Sequence, residues 1–194
     1  MPAIAYQYPD EVRAIREGLD RFLKTEVIAR HERHAALLDN ERNLFTDDGR
    51  YHPDALALIT EVRIAAARAG YYTMCVPTDL GGQGLGNVAW FGAWERIFHT
   101  CADHYWLGHY VLSHWAFGPS AVLRQLTPQA RETLLPGMMS GHESMCFGMS
   151  EPGAGSDAMM MQTRATRDGD GWRISGSKIW TTNSPYADYC IVFA

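Results

Sequence analysis

The hydrophobic period changes once along this chain of 194 residues, near Gly141, and that change most limits what it can fold into. Before it, apolar residues recur at spacings of three and four, as one face of an α-helix requires. After it, short apolar runs are cut by glycine-rich turns, the pattern of strands. Runs of helix followed by runs of strand imply an α+β fold or two successive domains. The junction is Ser144-Met-Cys-Phe-Gly-Met-Ser-Glu-Pro-Gly-Ala-Gly-Ser-Asp157. Met145 to Met149 reads as a buried strand, and a Pro-Gly turn and Gly155 lead on to Ser156 and Asp157. Ligand sites form at such junctions, and small residues let the backbone approach an anion closely.

Upstream, Val12, Ile15, Leu19, Phe22, Leu23 and Val27 predict a helix over 10–33, with acidic residues in its first turn. Residues 40–53 are polar and carry the turn signal Asp47-Asp48-Gly49. A second helix is predicted from Asp54 to Ala69 and stops at Gly70. The glycine-dense loop from Gly81 to Gly86 cannot be helix interior, where each glycine costs about 1 kcal/mol relative to alanine. Residues 87–100 resume as helix, with Trp90, Trp94, Ile97 and Phe98 on one side, and a second aromatic-rich helix is predicted over 103–117. Short helices follow over 120–126 and from Thr127, which reads as N-cap before Pro128, to about Pro136-Gly137. Downstream, strands are predicted over 159–166 and 172–175, joined at Asp168-Gly169-Asp170-Gly171, then over 179–182 and 189–194. The last strand has no partner after it, so the sequence reads as cut inside its second domain, with 1–140 helical and 141–194 the first part of a β-domain.

The formal net charge of −5, without a basic tract, argues against a nucleic-acid partner. Cys75, Cys101, Cys146 and Cys190 are far apart and form no CxxC, which points to reduced thiols and a cytoplasmic setting. No apolar run reaches the length of a membrane span, and no signal peptide or internal repeat is visible. His99, His104, His109 and His114 recur every five residues, which fans them around a helix. His31/His34 and Cys101/His104 have a ligand-like spacing of three, but no third ligand is identifiable. No metal is expected, and the histidines read as core or surface groups.

Phe147-Gly-Met-Ser-Glu-Pro-Gly-Ala-Gly-Ser-Asp157 and Ser175-Gly-Ser-Lys-Ile-Trp-Thr-Thr-Asn183 together resemble the two signature segments of the acyl-CoA dehydrogenase family of flavoproteins. Pro77-Thr-Asp-Leu-Gly-Gly-Gln-Gly-Leu and Leu134-Leu-Pro-Gly support the resemblance, whose order and spacing cover nearly the whole chain. It implies an N-terminal all-α domain followed by an incomplete antiparallel β-domain, with a C-terminal four-helix domain absent. It implies FAD as cofactor, with Phe147, Gly148, Met149 and Ser150 beside the flavin ring and Gly155 and Ser156 near the phosphates. Ser156 is also available to the substrate's phosphopantetheine arm, Trp180 would pack on the ring, and Thr181 and Thr182 lie beside it, with Thr182 near N5. Ser150 stands where the family more often has Thr, and it keeps the donor. Glu151 reads as structural, bonded to nearby backbone N–H groups.

The implied reaction acts on a CH–CH group. It removes the α-proton of an acyl-CoA thioester while the β-hydrogen leaves as hydride, giving the 2,3-enoyl-CoA. The family's base is a glutamate of the C-terminal domain, so no catalytic residue is expected in this chain, and the chain alone is expected to be inactive. The implied partners are acyl-CoA, an electron-transfer flavoprotein and further copies in a homo-oligomer. The alternatives are a related oxidase acting on acyl-CoA or nitroalkanes, or a non-catalytic partner subunit or remnant completed by another chain.

Overall fold

The computed structural model describes residues 7–194. Helix α1 (Asp10–Phe22) passes through a π-helical turn (Leu23–Ile28) into α2 (Ala29–Arg33) and the short α3 (Ala35–Leu38). Acidic residues Asp10 and Glu11 occupy the first turn, where they complement the helix dipole. The apolar stripe predicted for this segment is buried through Val12, Leu19, Phe22, Leu23 and Val27. The Thr25 hydroxyl donates back to the Arg21 carbonyl at 3.2 Å, the local competition that often bends a helix.

Helix α4 (Pro53–Arg68) begins with proline in its first turn and the His52 imidazole accepting from the Asp54 N–H, and it buries Leu58, Ile59, Val62 and Ala66. Helix α5 (Asn87–Cys101) packs along α1. Ala89, Ala93, Ile97 and Cys101 form the buried stripe, and Phe91 and Phe98 are exposed. In the fold, small residues let two helices approach closely, and the aromatics stack among themselves, Trp94 on Phe98 at 5.6 Å and Phe98 against His109 at 5.2 Å.

The helix predicted over 103–117 is replaced by a 3-10 turn (Trp106–Tyr110) and irregular chain. Leu107 and Val111 are fully buried there, and the Ser113 N–H bonds to the Tyr72 carbonyl at 2.9 Å, so tertiary packing overrides the local pattern. Helix α6 (Pro128–Met139) has the predicted N-cap, with Thr127 Oγ1 accepting from the Ala130 N–H at 3.2 Å, and it runs past Pro136.

Strand β1 (Met145–Gly148) pairs with β4 (Tyr189–Val192), and β2 (Arg164–Asp168) pairs with β3 (Gly171–Ser175). The order of helices then strands follows the sequence pattern, and the turn at Gly169-Asp170 closes the β2–β3 hairpin. Two details differ from expectation. The β1–β4 pair is parallel, with Cys146 opposite Cys190, because a long excursion through the hairpin lets the chain re-enter in the same direction. Residues 179–182 form no strand, and Trp180 sits at φ 56°, outside the strand region. No helix of the described residues is long and apolar enough to cross a membrane.

The largest buried cluster joins α1, α4 and α5, and a second one (Val76, Leu80, Leu123, Met138 and Met145) receives Phe147, Tyr189 and Ile191 from the strands. The β1–β4 pair is thereby seated on the helical layer. Gly141 makes the turn between them at φ 80°, and a Cβ there would lie 2.7 Å from the Arg63 backbone. Gly141→Ala is expected to lower unfolding free energy by about 2 kcal/mol or more, combining left-handed strain with a backbone collision. Urea denaturation of the chain measures this; an unchanged midpoint would contradict it.

Candidate functional site

The two glycine- and serine-rich segments at either end of the β region meet in space through one buried carboxylate. Glu151 accepts the backbone N–H groups of Gln162 at 2.6 Å and Thr163 at 2.9 Å, the Thr163 hydroxyl, and the Lys178 ammonium at 2.8 Å. Lys178 Nζ also donates to the Met149 carbonyl at 3.0 Å. The Ile179 N–H donates to the Ser150 carbonyl at 2.9 Å. Residues 149–151 and 178–179 therefore run side by side, clamped by an ion pair whose two side chains are 6% and 14% exposed. Lys178, foremost, and the Thr163 and backbone donors hold the Glu151 carboxyl down to about 2. A carboxylate this acidic stays ionised and fully occupied, so Glu151 is a structural anion, as the sequence reading held, and is no proton acceptor.

The turn itself is closed by the reciprocal Glu151–Ala154 backbone pair, at 2.8 and 3.1 Å. Ala154 points inward and is buried, which pushes Gly153 and Gly155 outward, where a Cβ would meet nothing within 4 Å. The open backbone of 152–156, with Ser156 exposed, borders a cleft of about 330 Å³ lined by Pro152, Gly153, Gln162, Gly176 and Ser177. Asp157 turns away, its carboxylate capping the Met159 N–H at 3.2 Å.

Phe147 projects from β1 between Trp115 and Phe193, with ring centroids at 5.1 and 5.4 Å. Gly148 ends the strand, and its carbonyl accepts from the Phe193 N–H at 3.0 Å. On the other segment Trp180 is 85% exposed, Thr181 half-buried and Thr182 exposed. Trp180 and Asn183 both adopt positive φ, 56° and 69°. Asn183 Nδ2 donates to the Met145 carbonyl at 3.2 Å, which ties the end of the segment back to β1. A left-handed tryptophan held between two anchored ends is the kind of local strain that collects at ligand sites. An exposed flat ring, hydroxyls beside it and a turn with outward backbone can cover a planar aromatic group and approach an anionic one.

Among the predicted site residues, Phe147 to Ser150 and Trp180 to Thr182 thus lie on two segments tied together, with Gly155 and Ser156 on the turn beside them. Sequence reasoning missed Lys178 and Thr163, which hold the arrangement. The signal for Lys178 was its lone charge inside an otherwise polar-neutral segment. The histidine pairs do not assemble as spaced: His31 meets His104, and Asp39 lies between them.

The family model described as acyl-CoA dehydrogenase, N-terminal domain, matches residues 9–142, and the model described as acyl-CoA dehydrogenase, middle domain, matches 146–194. The mitochondrial short-chain specific acyl-CoA dehydrogenase of Bos taurus is 36% identical over 148 residues, 73% of this chain and 35% of that protein. The chain thus spans about a third of that relative's length. A glutaryl-CoA dehydrogenase structure from Mycobacterium smegmatis superposes with a TM-score of 0.67 at 26% identity, covering 96% of this chain and 43% of that one. An acyl-CoA dehydrogenase from Bacillus anthracis, solved with FAD, has a TM-score of 0.66 at 24% identity, covering 97% and 29%, and shares the fold.

The depressed Glu151 pKa makes a pH prediction. Its stabilising contribution is fully present above the ordinary value of 4.5 and is lost as pH falls toward about 2. Acid titration followed by circular dichroism should show this loss in the wild type. Glu151→Gln should be less stable at pH 7 and lose less between 4.5 and 2, and equal pH dependence in the two proteins would contradict the assignment.

Proposed function

Because the chain belongs to the acyl-CoA dehydrogenase family, we propose that it forms one wall of the flavin and thioester site of an acyl-CoA dehydrogenase. The observation that carries this reading is the clamp: Glu151, Lys178 and the Ile179–Ser150 hydrogen bond set an exposed Trp180 and Thr182 beside the Ser150 turn. These residues fit FAD, since an exposed indole, hydroxyl donors and outward glycines are the groups a flavin and its pyrophosphate need. FAD, when bound, supplies the acceptor for the β-hydrogen.

Phe147, Gly148 and Met149 border the ring, and Ser150 donates to its polar edge. Trp180 covers a face and excludes water, Thr182 donates near the reacting nitrogen, and Thr181 spaces the two. Gly155 and Ser156 approach the phosphates, with Ser156 shared with the substrate's pantetheine arm. The substrate is an acyl-CoA thioester, oxidised to the 2,3-enoyl-CoA, and the reduced site passes electrons to an electron-transfer flavoprotein. Neither carboxylate of the turn serves as base, because Glu151 is ion-paired and Asp157 caps a backbone N–H. No residue of these 194 is assigned as the base, and the chain alone is inactive. The β2–β3 hairpin, exposed on both faces with Trp172 at 59% and Ile174 at 53%, suits completion by further β structure and assembly as an oligomer. The division into a helical domain over 1–140 and a β-domain from 141, and a cytoplasmic setting consistent with four unpaired cysteines, belong to the same proposal.

FAD titration of the 194-residue chain should give weak or no binding and no acyl-CoA-dependent bleaching. Stoichiometric tight FAD with bleaching would overturn its inactivity. In a protein that joins this chain to a C-terminal helical domain carrying a base, flavin bleaching by acyl-CoA is expected. In that protein Ser150→Ala and Trp180→Ala should each weaken FAD by about tenfold, the loss of one hydrogen bond or one ring contact. Full flavin affinity in both variants would sink the site assignment.

A further inference from the structure

In the helical layer, two imidazoles approach one carboxylate oxygen. His31, on α2, is 1% exposed, and its Nε2 lies 2.8 Å from Asp39 Oδ1. His104, in the turn after α5, brings its own Nε2 within 3.7 Å of the same oxygen. The three donor atoms lie within 4.8 Å of one another, and the two imidazole rings are 4.9 Å apart. Asp39 is the C-cap of α3. Three separate elements therefore present two nitrogens and one oxygen to one point.

We infer that His31, Asp39 and His104 form a binding site for a divalent transition ion of the zinc class. Ligands about 2.0–2.1 Å from a tetrahedral ion stand about 3.4 Å from one another. The observed 2.8 and 3.7 Å bracket that value, and with all three donors within 4.8 Å of one another the exposed His104 side chain would move to complete the set. A simple imidazole–carboxylate hydrogen bond accounts for His31 and Asp39. A second imidazole stands 3.7 Å from the same oxygen, beyond hydrogen-bond length, where a cation shared by all three groups could be held. The two-nitrogen, one-oxygen set selects Zn²⁺, Co²⁺ or Ni²⁺ over Mg²⁺ and Ca²⁺, which prefer all-oxygen shells.

Access is open. Asp39 and His104 line a cavity of about 560 Å³ whose wall also carries Glu41, Asp103 and His109. The acidic groups make the mouth attractive to a cation, and the open side leaves a coordination position for water. The ion would staple the end of the long N-terminal helix to the turn after α5. This inference does not rest on the flavin reading, because none of these residues belongs to the signature segments.

The test is calorimetric titration of the thiol-reduced chain with ZnCl₂, with CoCl₂ as optical probe. One equivalent is expected to bind, Co²⁺ should show the d–d bands of a four-coordinate site without a thiolate charge-transfer band, and Zn²⁺ should raise the melting temperature. His31 is buried, so the informative variants are at the more exposed ligands: His104→Ala and Asp39→Asn should each weaken binding at least about tenfold. His34→Ala, at an exposed neighbouring histidine, should leave it unchanged. No saturable binding, binding that both ligand variants leave intact, or an equal loss in His34→Ala would overturn the site.

Discussion

The β region depends on one buried ion pair. Glu151 and Lys178 sit 27 positions apart in sequence, and their contact brings two loops that have little apolar surface of their own into one arrangement. A buried charge is tolerated only when its remaining hydrogen-bonding capacity is filled. That condition is met on both sides: Glu151 takes the Gln162 and Thr163 N–H groups and the Thr163 hydroxyl, and Lys178 takes the Met149 carbonyl. Losing either partner leaves the other charge stranded. The pair therefore specifies geometry more than it adds stability, and the geometry it specifies is that of the candidate site.

The helical layer works by different physics. Its apolar clusters hold α1, α4 and α5 through close approach of small residues, and its second cluster carries the β1–β4 pair on α6 and the loop at Val76–Leu80. Seating the strands on that cluster fixes where the 149–151 segment starts. The ion pair then fixes where 178–179 runs beside it. Trp180 is presented outward because neither device leaves room for it to pack.

Much of this was legible in the sequence because its signals were local and redundant. The apolar spacing in 10–33, Thr127-Pro128 as a helix start and Asp168-Gly169-Asp170-Gly171 as a hairpin all formed as read. Where the structure departs, a non-local contact decided. The 103–117 segment has aromatic residues at helical intervals, yet Gly108 lies against Ile97 and Cys101 of α5 and the Ser113 N–H bonds to the Tyr72 carbonyl, which breaks the repeat. Trp180-Thr181-Thr182 has strand-like composition, but Lys178 and Asn183 anchor its ends to Met149 and Met145, and Trp180 and Asn183 take a left-handed φ. The lone charge of Lys178 stood out in the sequence, but its partner Glu151 did not, because the two lie 27 positions apart.

The parallel pairing of β1 with β4 has a kinetic meaning. Ser144 and Asp188, which lock its near end, are 44 positions apart, and the hairpin and both signature loops lie between them. Closing so long a loop incurs its entropy loss before the contacts that offset it exist. The α1–α5 contact of the helical layer closes a longer loop still, with Thr100 bonded to Asp20, 80 positions away. Both layers therefore depend on contacts between distant parts of the chain, and the β2–β3 hairpin alone is closed by a turn of two residues.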